Sequence, residues 1–236
     1  VRSSAASDVY KRQLKQNASS GMTGDSTTCS TCRSDFRESI RYLFQNASLL
    51  VVFLLAAILN LALVGLTIGA PVIVAKRLGM QSSFVGIIEM AMGLGGLVGS
   101  GLVGIWPHRF SFKGICRYVA MICFGVVPII VTLLSGPDEL AFAALAAGSA
   151  WAMAWASIAS VEIVSFVQRS APKELCGKVL ALVYMMLSCA TPIGQLVYGL
   201  AYDRWTPAIV FAGMFAVLTL TTALFYRLKS RLWRMS

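Results

Sequence analysis

The chain has 236 residues, 57% of them hydrophobic and 13% charged, with a net charge of +10 and a mean hydropathy of +0.74. A soluble domain carries about 25% charged residues, so this composition excludes an ordinary water-soluble fold. The basic residues gather at the ends of apolar runs and form no stripe interleaved with aromatics, which excludes a nucleic-acid binder.

The opening residues, 1–13, lack an initiator Met and read as non-native translated adaptor sequence, so the natural N-terminus is expected upstream. Residues 14–47 are polar and rich in Ser and Thr, and read as a cytoplasmic linker. That linker is expected to end in a short amphipathic helix over Ser34–Asn46, with Phe36, Ile40, Leu43 and Phe44 on one face. No charged segment leads into a cleavable apolar run, so no signal peptide is expected. Cys29-Ser-Thr-Cys32 has no second ligand pair, and the six cysteines read as unpaired thiols without a metal. Asn17 and Asn46 match the glycosylation sequon, which is irrelevant on a cytoplasmic side.

A helix needs roughly 20 apolar residues to cross the hydrocarbon core, where every backbone amide must be bonded internally. Six stretches meet that length: Ser48–Ala75, Ser83–Trp106, Tyr118–Leu134, Leu140–Val167, Gly177–Leu200 and Thr206–Phe225. They predict an all-α integral membrane domain over 48–226, followed by a basic cytoplasmic tail over 227–236. Span 2 carries Gly95-x-x-x-Gly99 on one face, which suits either tight packing or a sliding contact. Span 4 opens with small residues, Ala141 to Ser149, before Trp151, Trp155 and Glu162. Span 5 contains Thr191-Pro192, where the missing amide is expected to loosen or kink the helix.

Alternation of the spans puts thirteen basic residues on one side, among them Arg41, Arg109, Arg117, Arg169, Lys173, Lys178 and Arg227, against Lys76, Arg77 and Arg204 on the other. By the positive-inside rule both termini of the chain are cytoplasmic, in the cell (inner) membrane. Span 2 ends Gly104-Ile-Trp-Pro-His108-Arg109-Phe110 and span 5 ends Gly199-Leu-Ala-Tyr-Asp203-Arg204-Trp205. Both read Gly-x-x-x-polar-Arg-aromatic, and each closes the middle helix of a three-helix block. An odd number of spans per block inverts the second against the first, the arrangement of many secondary transporters.

The run Gln168-Arg169-Ser-Ala-Pro172-Lys-Glu174-Leu-Cys-Gly177-Lys178-Val179 resembles the loop between helices ten and eleven of the drug and siderophore exporter branch of the major facilitator superfamily. Pro192-Ile-Gly194-Gln195-x-x-x-Gly199 is similar to the helix that follows, and Gly93-Leu-Gly95-Gly96-Leu-Val-Gly99-Ser100 to helix eight. The resemblance spans about residues 34–230. It implies the C-terminal six-helix half of a twelve-helix transporter, whose partners are an N-terminal six-helix half, the bilayer and a small-molecule substrate. The superfamily's loop pattern G-x-x-x-D-R-x-G-R stands here only as Gly104 through Phe112, with His108 for the Asp.

Glu89 and Glu162 are the acids within spans, and each is a proton-coupling candidate because a charge at membrane depth normally faces a cavity or partner. They are expected at different depths and not as a pair. Asn60, Trp151, Trp155, Met185 and Gln195 are substrate-cavity candidates; the two amides serve equally as interhelical hydrogen-bonding groups, and the others suit a lipid face equally. Gly104, Arg109, Arg169, Pro172, Glu174, Gly177 and Lys178 form candidate cytoplasmic gating loops, with Ser170 expected to cap a helix start. Two function classes follow: one half of a proton-coupled exporter of amphipathic molecules, or a non-transport six-helix membrane scaffold or homodimer. No H-E-x-x-H, G-x-S-x-G or paired-Asp motif favours an enzyme, and no cofactor is expected.

Overall fold

The computed structural model describes residues 40, 41, 43–172 and 175–232. The adaptor-like segment, the linker up to residue 39 with Cys29 and Cys32, Glu174 and the last four residues of the tail lie outside the described residues.

Six helices are long and apolar enough to span a bilayer. They are α1 (Ala47–Val72), α2 (Ser82–Ile105), α3 (Ile115–Ser135), α4 (Asp138–Ser170), α5 (Cys176–Arg204) and α6 (Pro207–Leu232). Each predicted span falls on one helix to within a few residues, and α3, α4 and α5 overrun their apolar runs at both ends. α4, for example, begins with Asp138 and Glu139, whose charge complements the positive pole of the helix dipole. α1 continues into a π-helical turn, Ile73–Arg77, just past Pro71, and Gly79 (φ +60°) then reverses the chain. Pro192 does not break α5, which runs unbroken from Cys176 to Arg204.

The packing has an internal symmetry. α2 packs most extensively on α4, and α5 on α1; α3 lies against α4 as α6 lies against α1; α3 meets α6, and α1 meets α4. Exchanging the first three helices for the last three leaves this set of contacts unchanged, which is what two inverted three-helix repeats require. The repeats are intertwined, because each middle helix packs on the other block.

Small residues make these crossings close. A Cβ added to Gly95 or Gly99 would overlap the carbonyl groups of Ala150 and Ala154, so α2 and α4 touch backbone to backbone. Gly125 of α3 and Gly148 of α4 meet in the same way. Lipid tails are as apolar as Leu, so such van der Waals contact, and not escape from water, holds membrane helices together. The central core runs through Leu66, Ile122, Ile129, Leu145 and Phe211. A second cluster near the start of α1 joins Leu49 and Phe53 to Val167, Val179 and Val183. Within the expected amphipathic helix, Leu43 is buried in that second cluster, whereas Phe44 faces outward.

Candidate functional site

At the end of the bundle carrying Arg109, Arg117, Arg169 and Lys178, Trp106-Pro107 stops α2 and the chain makes two short 3-10 turns, Pro107–Arg109 and Phe112–Gly114. The second turn is pinned by aromatic rings. Phe112 stacks on Phe166 of α4, with centroids 4.2 Å apart, and meets Phe225 of α6 edge-on at 6.1 Å. The Tyr118 hydroxyl accepts the Ser111 amide at 2.9 Å and donates to the Ser111 carbonyl at 3.1 Å. Glu162 faces this knot and is 8% exposed. Its carboxyl receives the Phe112 backbone N–H and lies within electrostatic reach of Arg169. A carboxyl at this depth requires such neighbours, since an uncompensated charge there costs about 3 kcal/mol or more.

A cavity of about 90 Å³ opens between α1, α4 and α5. Its wall is apolar (Leu59, Leu63, Ile122, Ile163, Leu187) except for Asn60, Ser160 and Tyr184. Asn60 donates through Nδ2 to the Leu187 carbonyl at 3.0 Å and to Thr191 Oγ1 at 3.3 Å. It therefore ties α1 to α5 beside Pro192 and still lines the cavity.

The other cavity candidates lie elsewhere. Trp151 donates its indole N–H to the Met121 carbonyl at 2.9 Å, and Trp155 stacks on Tyr118, so both rings belong to the α3–α4 contact. Met185 and Gln195 are exposed on α5. Glu89 is exposed on α2. The Gly95–Ala150 and Gly99–Ala154 contacts set α2 parallel to α4 in register. Glu89 lies six residues before Gly95 and Glu162 twelve after Ala150, so the two acids are about 27 Å apart along the bundle. They are not a pair, as the spans predict.

In the loop between α4 and α5, Ser170 is the last residue of α4, and α5 begins at Cys176. The Pro172 carbonyl accepts the amides of Leu175 and Cys176, so the proline supports the new helix through its oxygen. Gly104, Arg109, Arg169, Pro172, Gly177 and Lys178 are all exposed. At the opposite end, Lys76 in the π turn pairs with Asp203 at 2.9 Å. In the sequence Asp203 stands out only as part of the repeat, and the meeting of Ser160 and Tyr184 at the cavity and the Phe112 knot do not stand out. Ser160 carried a signal as a polar residue within an apolar span; Tyr184 carried none, because nothing in a uniformly apolar helix marks which face turns inward, and Phe112 none, because it lies in the link between spans 2 and 3.

Interlocked helix triplets, a part-polar cavity where the leading helix of one block meets that of the other, and a buried carboxyl beneath it define a multi-pass membrane protein of the transporter class. Residues 22–236 match the family model described as transmembrane secretion effector, and the chain belongs to that family of major facilitator transporters. A comparison with curated proteins gives no match.

Proposed function

We propose that the chain is the C-terminal half of a proton-coupled exporter of small amphipathic molecules, rocking against an N-terminal six-helix half around a shared midplane site. The observation that carries this reading is the cavity between α1, α4 and α5. It offers a ligand an apolar wall with an amide and two hydroxyls, and no charge. Such a surface suits the apolar body of an amphipathic molecule and leaves any charge on it to the other half. Asn60 uses its Nδ2 to hold α5, which leaves its side-chain oxygen as an acceptor for the substrate.

Glu89 is the proposed coupling residue. On the outer face of α2 it would meet lipid unless another helical surface covered it, and the N-terminal half supplies that cover. Protonation there favours one conformation, and release favours the other. Glu162 is the second coupling candidate, placed to transmit its charge state to the α2–α3 link. In this reading Gly104, Arg109, Arg169, Pro172, Glu174, Gly177 and Lys178 form latches on the cytoplasmic side that close in one conformation and open in the other.

The test is efflux from a drug-sensitive host expressing the full reading frame. Glu89→Gln is expected to reach the membrane at parental levels and to lose efflux driven by a pH gradient. Unchanged gradient-driven efflux removes Glu89 from the mechanism, and unchanged efflux in Glu162→Gln as well removes proton coupling through this half.

A further inference from the structure

An open cleft of about 430 Å³ lies at the basic end, between the α2–α3 link, the start of α3 and the end of α6. Arg109, Ser111, Arg117 and Tyr226 line it, and no acidic side chain does. The two arginines differ from their basic neighbours. Arg169 has Glu162 within electrostatic reach, and Lys178 and Arg227 have partners of their own. The Lys76–Asp203 ion pair lies at the far end of the bundle, and among the described residues no carboxylate pairs with Arg109 or Arg117. The Arg117 guanidinium sits 5.8 Å from the Tyr118 ring centroid, a contact that holds the fork in place.

The depth of the cleft is set independently. Ile115 and Phe225 are buried where α3 begins and α6 nears its end, while Trp106 and Tyr226 are exposed beside them at 54% and 69%. Exposed Trp and Tyr at the ends of apolar helices mark the headgroup layer. A concave site at that level, with two planar guanidinium forks and two hydroxyls, matches a phosphate group in geometry and charge.

We propose that this cleft binds phosphate, supplied by the headgroup of an anionic phospholipid. Basic pockets between helix ends hold such headgroups, and each arginine near the surface adds about fivefold in affinity. The site needs only that the helices sit in a bilayer, so its failure would leave the transport reading untouched.

The test measures lipid retention by the purified chain in detergent, using native mass spectrometry with added phosphatidylglycerol or phosphatidylcholine. The parent chain is expected to keep phosphatidylglycerol in preference, and Arg109→Gln and Arg117→Gln each to weaken it about fivefold. Arg204→Gln, at the opposite end, is expected to change nothing. A double Arg109→Lys, Arg117→Lys variant keeps the charge without the forks and should fall between parent and glutamine variants. Elution volume and thermal midpoint of each variant are compared with the parent, and the lysine pair decides if a glutamine variant misfolds. Equal retention of the two lipids, or undiminished phosphatidylglycerol binding after loss of both arginines, overturns the site. Inorganic phosphate supplies the second arm. Competition at matched concentration supports a phosphate site but assigns its occupant to solution, whereas persistence of the lipid assigns it to the bilayer.

Discussion

Replacing Glu162 by Gln keeps an oxygen that can accept the Phe112 amide, whereas Leu leaves that amide without a partner beside a ring stack. The expected outcome is a small shift for Glu162→Gln and a loss of about 1–3 kcal/mol for Glu162→Leu, read as thermal midpoints in detergent. Equal losses would show that charge, and not the hydrogen bond, fastens the α2–α3 link. At this scale the sequence was partly legible. Two acids inside apolar spans stand out in any reading, because charge at that depth demands a reason. Their surroundings do not stand out, since Phe112 lies fifty residues from Glu162 and nothing local announces their meeting. Trp151 and Trp155 show the opposite difficulty. Both were conspicuous, yet Gly125 and Tyr118 draw them into the α3–α4 contact.

At the scale of the helices, length and hydropathy are strong signals, and all six spans were visible for that reason. Facing is a weak one. In water an amphipathic stripe tells which side is buried, but lipid and protein interior are equally apolar, so a membrane helix carries little of that stripe. Glycine spacing partly replaces it. Gly95 and Gly99 marked a close-contact face, although only the fold shows that Ala150 and Ala154 receive it. Adding one methyl group at either glycine must push backbone from backbone. Gly95→Ala and Gly99→Ala are therefore expected to lower stability by about 1–3 kcal/mol. Gly101→Ala, with open space around it, should be neutral or slightly stabilising through helix propensity. A parallel set of unfolding midpoints checks the contrast, and equal behaviour of the three would mean α2 and α4 separate freely. α4 runs three residues past its last apolar position, Val167, which hydropathy alone does not foretell.

For the whole molecule, the distribution of charge was the most legible feature. Arg109, Arg117, Arg169 and Lys178 lie at one end of the bundle, and the Lys76–Asp203 pair at the other. Positive-inside orientation then gives a firm expectation. A phosphatase reporter fused after the last residue should be inactive in the periplasm-dependent assay, and one fused between α1 and α2 active. The reverse pattern would invert every assignment of sidedness made above. The inverted repeat was legible as a seven-residue echo at the ends of spans 2 and 5, whereas the intertwining of the two blocks was not, because helix pairing across blocks is a property of the assembled fold.

The backbone contact between α2 and α4 also bears on how the protein is made. α2 leaves the ribosome well before α4 exists, so its glycine face must wait in the membrane while α3 and α4 are synthesised. Neither triplet completes its own packing, and in a chain stalled after α3 the glycine face of α2 lacks the helix it packs on in the finished fold. Assembly of the second triplet is thus the step that makes the first one native.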